Sequence, residues 1–265
     1  MQLKSSKQLK ITLIGAGNVA TQLGLALNKS HQVVQVFSKR KHSAAQLGKL
    51  LNCDFVTSVN DINVNSDIFI IAIKDDAIEE ISKTLTLPNK IVVHTSGSIS
   101  MDALKPISKK YGVFYPLQTF SKNKNANFRN IPICLEASDN VTLKTLQKLA
   151  KSISDNVNKI NSEQRKTIHL AAVFACNFSN HLYTIASEIL ENNKLSFDIL
   201  KPLIEETALK IKNNHPSQMQ TGPAIRGDKK IMDQHLKLLS KDKKLQTIYK
   251  LMSQSIIDSS KQNKL

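Results

Sequence analysis

The feature that most constrains this chain is a short glycine loop, Gly15-Ala16-Gly17-Asn18-Val19-Ala20, set directly after the apolar run Ile11-Thr12-Leu13-Ile14. A run of that kind ending at glycines reads as a buried strand that stops in a turn. A helical stretch from Asn18 to Asn28 follows, and then a second strand, Val33 to Phe37. In this strand–loop–helix–strand context each loop position has a steric reason. Gly15 permits the tight turn, Gly17 lets the backbone approach a diphosphate, and Ala20 is small enough for helix and strand to pack closely. Amides at the helix start then point at the phosphates, and the helix dipole favours their charge.

The alternation continues. Asp67 to Ile73 is the most apolar strand and is expected at the centre of a sheet. Helix Ala77 to Leu85 follows, then strand Ile91 to His94, helix Met101 to Lys110, strands Val113 to Tyr115 and Ile131 to Leu135, helix Val141 to Ser152, and a last short strand near Val157. This predicts an α/β fold, a doubly wound parallel sheet of the Rossmann type, over residues 1–160. Residues 161–265 read as an all-α domain for substrate binding and dimerisation. A helix is expected from Ser162, capped by Asn161 and Gln164, to about Glu191, and others at Asp198–Lys212, Lys229–Leu239 and Lys244–Ser259. No Asp, Glu, Lys or Arg occurs from Thr167 to Ser187. His169, Asn177, Asn180 and His181 would be costly in lipid, so the helix is expected in a protein core and not in a membrane. The later helices carry too few large apolar residues to enclose it, which leads to the expectation of a homodimer built on this domain.

An NAD-specific fold of this type places an acidic residue about 20 positions beyond the loop, on the ribose 2′-hydroxyl. No acidic residue occurs here before Asp54, and the second strand ends in Ser38-Lys39-Arg40-Lys41. A hydroxyl and clustered cations suit a 2′-phosphate, so the expected cofactor is NADP. The net charge of +16 raises the question of nucleic acid, yet the lysines are mostly scattered and there is no Trp. A basic patch interleaved with stacking aromatics is therefore missing, and no nucleic-acid or membrane partner is expected. Cys53, Cys134 and Cys176 lie far apart without metal-ligand spacing. They read as reduced, buried thiols, with no metal site, in a cytoplasmic protein; the polar, basic stretch Met1 to Lys10 does not read as a secretory signal.

The GAGNVA loop followed by SKR resembles the superfamily of pyrroline-5-carboxylate reductases, deazaflavin-dependent NADP reductases, and phosphogluconate and 3-hydroxyacid dehydrogenases. Three segments resemble more closely one little-characterised bacterial family: His94-Thr95-Ser96-Gly97-Ser98, Tyr115-Pro116-Leu117-Gln118-Thr119-Phe120, and Thr221-Gly222-Pro223-Ala224-Ile225-Arg226-Gly227-Asp228. That family pairs a Rossmann-like domain with a helical C-terminal domain of unknown function. The resemblance implies an N-terminal NADP domain, a helical dimerising domain and an oxidoreductase role, and it supplies no substrate. Hydroxyacid dehydrogenases of the superfamily carry a catalytic Lys and an Asn one turn apart on the long helix. Here Lys166 is followed four residues later by Leu170, so their mechanism does not transfer.

In an open parallel sheet the ligand lies beyond the carboxyl ends of the strands. The expected cofactor contacts are Gly15, Gly17, Asn18, Val19, Ser38, Lys39, Arg40, Ile73 and Lys74. His94 can exchange a proton, and Ser96 can hydrogen-bond a substrate oxygen; alternatively, His94 is satisfied by backbone and Ser96 caps the next segment. At 100° per residue His169, Asn177 and Asn180 share a helix face, either as catalytic groups or as polar residues tying helices together. Arg226 can clamp a carboxylate, and Asp228 is equally a helix cap. The leading expectation is hydride transfer between nicotinamide and a small carbonyl, imine or deazaflavin-type substrate, in a cleft between the domains. The alternative is a non-catalytic NADP(H) sensor.

Overall fold

The computed structural model describes residues 8–122 and 124–262, so Met1 to Lys7 of the basic N-terminal stretch lie outside the described residues. Among these residues eight strands form one sheet: Lys10–Ile14 (β1), Gln32–Phe37 (β2), Asp54–Val56 (β3), Ile68–Ile71 (β4), Ile91–His94 (β5), Lys110–Pro116 (β6), Ile133–Ala137 (β7) and Val157–Lys159 (β8). Their order is β3-β2-β1-β4-β5-β6-β7-β8. The first six run parallel, in the 3-2-1-4-5-6 order of a doubly wound dinucleotide fold. β4 is buried along its whole length near the centre of the sheet, as its composition requires.

Two departures from the sequence reading matter for the site. The sheet is not parallel throughout: β7 pairs antiparallel with β6, and β8 follows β7 in parallel. Strand direction leaves no trace in an apolar run, so only the structure shows the reversal. The stretch Met101 to Lys110 is not a helix but one 3₁₀ turn, Met101–Leu104. Pro106 cannot donate the backbone hydrogen bond that an extending helix needs, and β6 has begun by Lys110. β3 is short and mostly exposed, and so gave no apolar signal.

Helices Asn18–Leu27 (α1), Lys41–Leu51 (α2), Asp76–Thr84 (α3) and Asn140–Lys151 (α4) cover the sheet. Leu23, Leu47 and Leu146, from α1, α2 and α4, join one core cluster against the sheet, while Ile78 and Ile81 of α3 join the other. The sheet is thus packed on both faces, which explains its unbroken apolar strands. Beyond β8 one long helical stretch runs from Ser162 to Glu191. It comprises Ser162–Ala172 (α5), six π-helical residues Val173–Phe178, and Ser179–Glu191 (α6). The chain divides into two units between His181 and Leu182, so α5 and its polar residues go with the sheet. In the second unit lie Lys201–Asn213 (α7), Pro223–Arg226 (α8), Lys229–Leu238 (α9) and Lys243–Gln262 (α10). The Asp228 side chain accepts a hydrogen bond from the Ile231 N–H and caps α9. Among the described residues no helix is long and apolar enough to cross a membrane.

The long helix is not buried within one chain. Leu170, Phe174 and Phe178 are 60%, 63% and 50% exposed, and Cys176 is exposed as well, against the expectation of three buried thiols.

The loop after β1 depends on Gly15, which takes φ +120° while its N–H donates to the Phe37 carbonyl at 2.8 Å. A Cβ there would run into the Ala72 carbonyl at the end of β4. Gly15→Ala should therefore lower the unfolding free energy by about 1–3 kcal/mol, the cost of a side chain in a conformation open to glycine. Urea denaturation reads this directly, and an unchanged midpoint would refute the strained geometry.

Candidate functional site

The carboxyl ends of β1, β2, β4 and β5 open into a cleft of about 900 Å³, a size suited to a large organic ligand. All of its lining comes from the first unit, between Gly15 and His169. Gly17 is the N-cap of α1, and no side chain caps that helix or places a carboxylate in its first turn. The first amides of a helix lack internal partners, so those of α1 are left for an acceptor in the cleft. A Cβ built on Gly17 meets nothing within 4 Å, so the space above it belongs to the cleft. The Asn18 side chain donates to the Phe120 carbonyl at 2.9 Å, while Gln22 donates to the Ser121 carbonyl at 2.7 Å. Those bonds clasp the loop after β6 onto α1.

One end of the cleft is basic. Ser38, Lys39 and Arg40 line it after β2, with Ser58 and Asn60 nearby and Glu80 of α3 opposite. Lys39 Nζ lies 2.6 Å from a Glu80 carboxylate oxygen. Ile73 and Lys74 follow β4 along the middle of the cleft. Every cofactor contact expected from the sequence therefore borders one cavity.

The other end is formed by Thr95, Ser96, Gly97, Tyr115 and His169. Tyr115 Oη lies 3.1 Å from His169 Nδ1, with the rings edge to face. A Cβ on Gly97 would fall 2.6 Å from that same Nδ1, so the glycine lets the imidazole lie against the backbone. Burial is the main cause that raises the Tyr115 phenol above its ordinary pKa, with the nearby Cys134 and Asp75 adding to it and the Arg165 guanidinium opposing. Tyr115 thus keeps its proton at neutral pH and is available as a donor.

His169 owes its place to an ion pair that sequence reading did not single out. Arg165, one turn earlier on α5, is fully buried. Its Nη1 donates to Glu136 Oε2 at 2.5 Å, and its Nη2 donates to the Ile99 carbonyl at 2.5 Å and to Ser162 Oγ at 3.2 Å. Glu136 on β7 also accepts from the Ser162 N–H and hydroxyl at 3.0 and 2.8 Å. The register pairs Val113 with Glu136 and Tyr115 with Cys134. Residues two apart share a sheet face, so Tyr115 and Glu136 both point toward α5. Arginine is scarce, four of 37 cationic residues, and that scarcity was the available signal.

His94 stands apart from the cavity. It is fully buried, its Nδ1 accepts from the Ser96 N–H at 3.1 Å, and its Nε2 lies 3.3 Å from the Ser100 carbonyl. An acceptor Nδ1 leaves the proton on Nε2, which fixes a neutral ring with both nitrogens engaged. Burial first, then the Arg165 charge, pull its pKa down to about 4, against the Ser100 bond, which favours the proton. Ser96 lines the cavity, but its hydroxyl accepts from the Ser98 and Ile99 N–H groups at 3.1 Å each. Asn177 is exposed in the π-helical stretch and does not border the cleft. That stretch bonds i to i+5, so the constant 100° step that put Asn177 and Asn180 on the face of His169 does not run through it. Among the described residues no cluster of His, Cys, Asp or Glu is placed to hold a metal ion.

Residues 2–118 match the family described as a Rossmann-like domain, and residues 131–256 match a domain of unknown function, DUF2520. Among solved structures the chain is similar to a "putative NADP oxidoreductase" from Bacteroides fragilis, at 40% identity over 95% of this chain and 98% of the other, with a TM-score of 0.90. A pyrroline-5-carboxylate reductase from Streptococcus pyogenes shares the fold at 16% identity over 97% and 100% of the two chains, with a TM-score of 0.65. A reductive aminase from Aspergillus terreus, solved with NADPH and ethyl-5-oxohexanoate, does so at 11% identity over 96% and 95%, with a TM-score of 0.70. No curated protein matches the chain in sequence.

The buried imidazole has a consequence for stability. His94 titrates near 6.5 when unfolded and near 4 when folded. Between those values the unfolded chain binds more protons, so stability should fall as pH drops through 6.5 toward 4, by at most about 3 kcal/mol. His94→Asn should flatten that part of the profile. Urea unfolding across the range decides it, and equal slopes in parent and variant would remove His94 as the source.

Proposed function

Because this chain belongs to the family that joins a Rossmann-like domain to DUF2520, we propose that it is an NADP-dependent oxidoreductase acting on a small carbonyl or imine substrate. The observation that carries the proposal is the open space over Gly17 at the uncapped start of α1, continuous with the basic turn Ser38-Lys39-Arg40 and the Tyr115–His169 pair in one cavity. The α1 amides, with Asn18 and Val19 first, would hold the diphosphate, and the basic turn would hold a 2′-phosphate. Ile73 and Lys74 would flank the ribose. The B. fragilis relative and the NADPH-bound aminase support the same cofactor.

When bound, the nicotinamide supplies or accepts the hydride. The chain's own residues supply the proton. Tyr115 Oη, kept protonated by burial, gives a proton to the oxygen or nitrogen of the substrate, and His169, in contact through Nδ1, passes one back to it from solvent. Ser96 can orient the substrate through its hydroxyl. His94, neutral and held by backbone on both nitrogens, fixes the Thr95–Ser100 loop instead of touching substrate. In this reading Asn177 has no part in proton transfer.

The working unit is proposed to be a homodimer. Leu170, Phe174 and Phe178 are exposed apolar side chains, and the rings of Phe174 and Phe178 meet edge to face with centroids 5.0 Å apart. At a net charge of +16 two copies repel one another over most of their surface, whereas residues 167–187 contain no Asp, Glu, Lys or Arg. A reducing cytoplasm suits its three free cysteines.

Fluorescence titration should give a dissociation constant about tenfold lower for NADPH than for NADH. Gly17→Val should abolish binding of both with the melting temperature little changed, since a Cβ there meets no protein atom within 4 Å. Binding by that variant would move the phosphate site elsewhere. With NADPH and a panel of imines, 2-oxo acids, aldehydes and a deazaflavin, Tyr115→Phe and His169→Gln should each lower turnover by about 10²-fold or more while cofactor affinity holds. A parent that binds NADPH and oxidises it with no member of the panel favours a sensor.

Light scattering at low micromolar concentration should give twice the chain mass, and Phe174→Lys should halve it. A stable monomeric parent would refute the dimer.

A further inference from the structure

We propose that Glu80 is a cofactor-discriminating residue, a carboxylate on α3 that competes with the 2′-phosphate for Lys39 and so limits the chain's preference for the phosphorylated cofactor. This rests on the NADP reading above and assigns within it a residue that works against the basic turn.

The turn after β2 and helix α3 face each other across one end of the cleft. Ser38, Lys39 and Arg40 border it from the first side, and Ala77, Glu80 and Thr84 from the second. The Lys39–Glu80 pair, at 2.6 Å, spans the gap. Both side chains are largely exposed, 69% and 63%, so the pair adds little to folding and an anion can enter between its members. The cleft lining contains two carboxylates, Asp75 and Glu80, and Glu80 is the one at the basic end.

A phosphate arriving at Lys39 must displace the Glu80 carboxylate and then remain beside it as a like charge. A ribose 2′-hydroxyl meets the opposite situation, because it can donate a hydrogen bond to that carboxylate. In dinucleotide folds selective for the unphosphorylated cofactor, an acid on the second strand accepts this bond. Here no acid precedes Asp54, and Glu80 offers the same chemistry from the facing helix. The chain therefore carries both determinants at one end of one cavity, and the preference that a titration reads would be the difference between them.

Glu80→Gln removes the charge and keeps the shape. It should lower the NADPH dissociation constant by about three- to tenfold, as expected for loss of one partly screened like charge, and leave that of NADH unchanged or raised. Glu79→Gln is the control, an equal charge change on the same helix away from the cleft, and should change neither constant appreciably. In the Lys39→Ala background the effect of Glu80→Gln should shrink, because the competition is for that lysine. Equal melting temperatures for Glu80→Gln and parent would confirm that the pair is not structural. A parent that fails to bind NADPH overturns the NADP reading itself. A parent that prefers NADPH while Glu80→Gln matches Glu79→Gln in both constants leaves that reading standing and overturns the role of Glu80.

Discussion

The site depends on one buried ion pair. Arg165 and Glu136 lie 29 positions apart in sequence and meet where water is excluded, so neither charge is tolerable without the other. Through the same two side chains four elements are joined: β7, the first turn of α5, the loop after β5 at Ile99, and, by register, β6. One guanidinium nitrogen, Nε, has no hydrogen-bond partner. Leaving a buried donor unsatisfied costs free energy, which suggests that the arrangement is kept for the geometry it imposes more than for stability.

Under the proposed function the parts of the cavity divide the labour. The glycine loop and α1 present backbone amides, which select a charged, extended ligand without regard to its identity. The turn after β2 presents side chains, which distinguish one such ligand from another. Tyr115 and His169 present a proton at the far end, where a neighbouring cation and burial act in opposite directions on the phenol. His94 sits behind them as an uncharged prop, and its neutrality suits its surroundings: a second cation beside Arg165 would oppose the pair with Glu136.

The sequence announced the first wall of the cleft and concealed the second. GAGNVA was legible because glycine positions have steric meaning within a few residues, and the strands were legible because a sheet covered on both faces needs unbroken apolar runs. Ser38, Lys39 and Arg40 were legible for the same local reason. Tyr115 opens the Tyr115–Phe120 motif, yet nothing nearby in sequence marks a phenol that meets a histidine 54 residues on. Arg165 and Glu136 were invisible because a long-range pair leaves no periodicity. His94 was legible only as a pair of alternatives, since a histidine at a strand end looks the same whether its nitrogens face a ligand or backbone, and here they meet backbone. The π-helical stretch removes the constant turn on which placing Asn177 and Asn180 on the face of His169 relied, and Asn177 does not border the cleft.

The reversal at β7 decides which way the last part of the first unit is travelling. Six parallel strands finish at the edge where the cleft opens, and a seventh like them would have released the chain there, with its next helix heading away. Because β7 and β8 run the other way, the chain emerges below, and α5 must climb back past β6 to reach the edge. Ser162 is tethered at the foot of that climb and His169 arrives near its top, two turns or about 10 Å higher. The helix therefore acts as a measured rod: its angular phase, counted in residues from Ser162, selects which side chain faces Tyr115. One residue added or removed along that rod would swing the imidazole about 100° away and leave every strand in place.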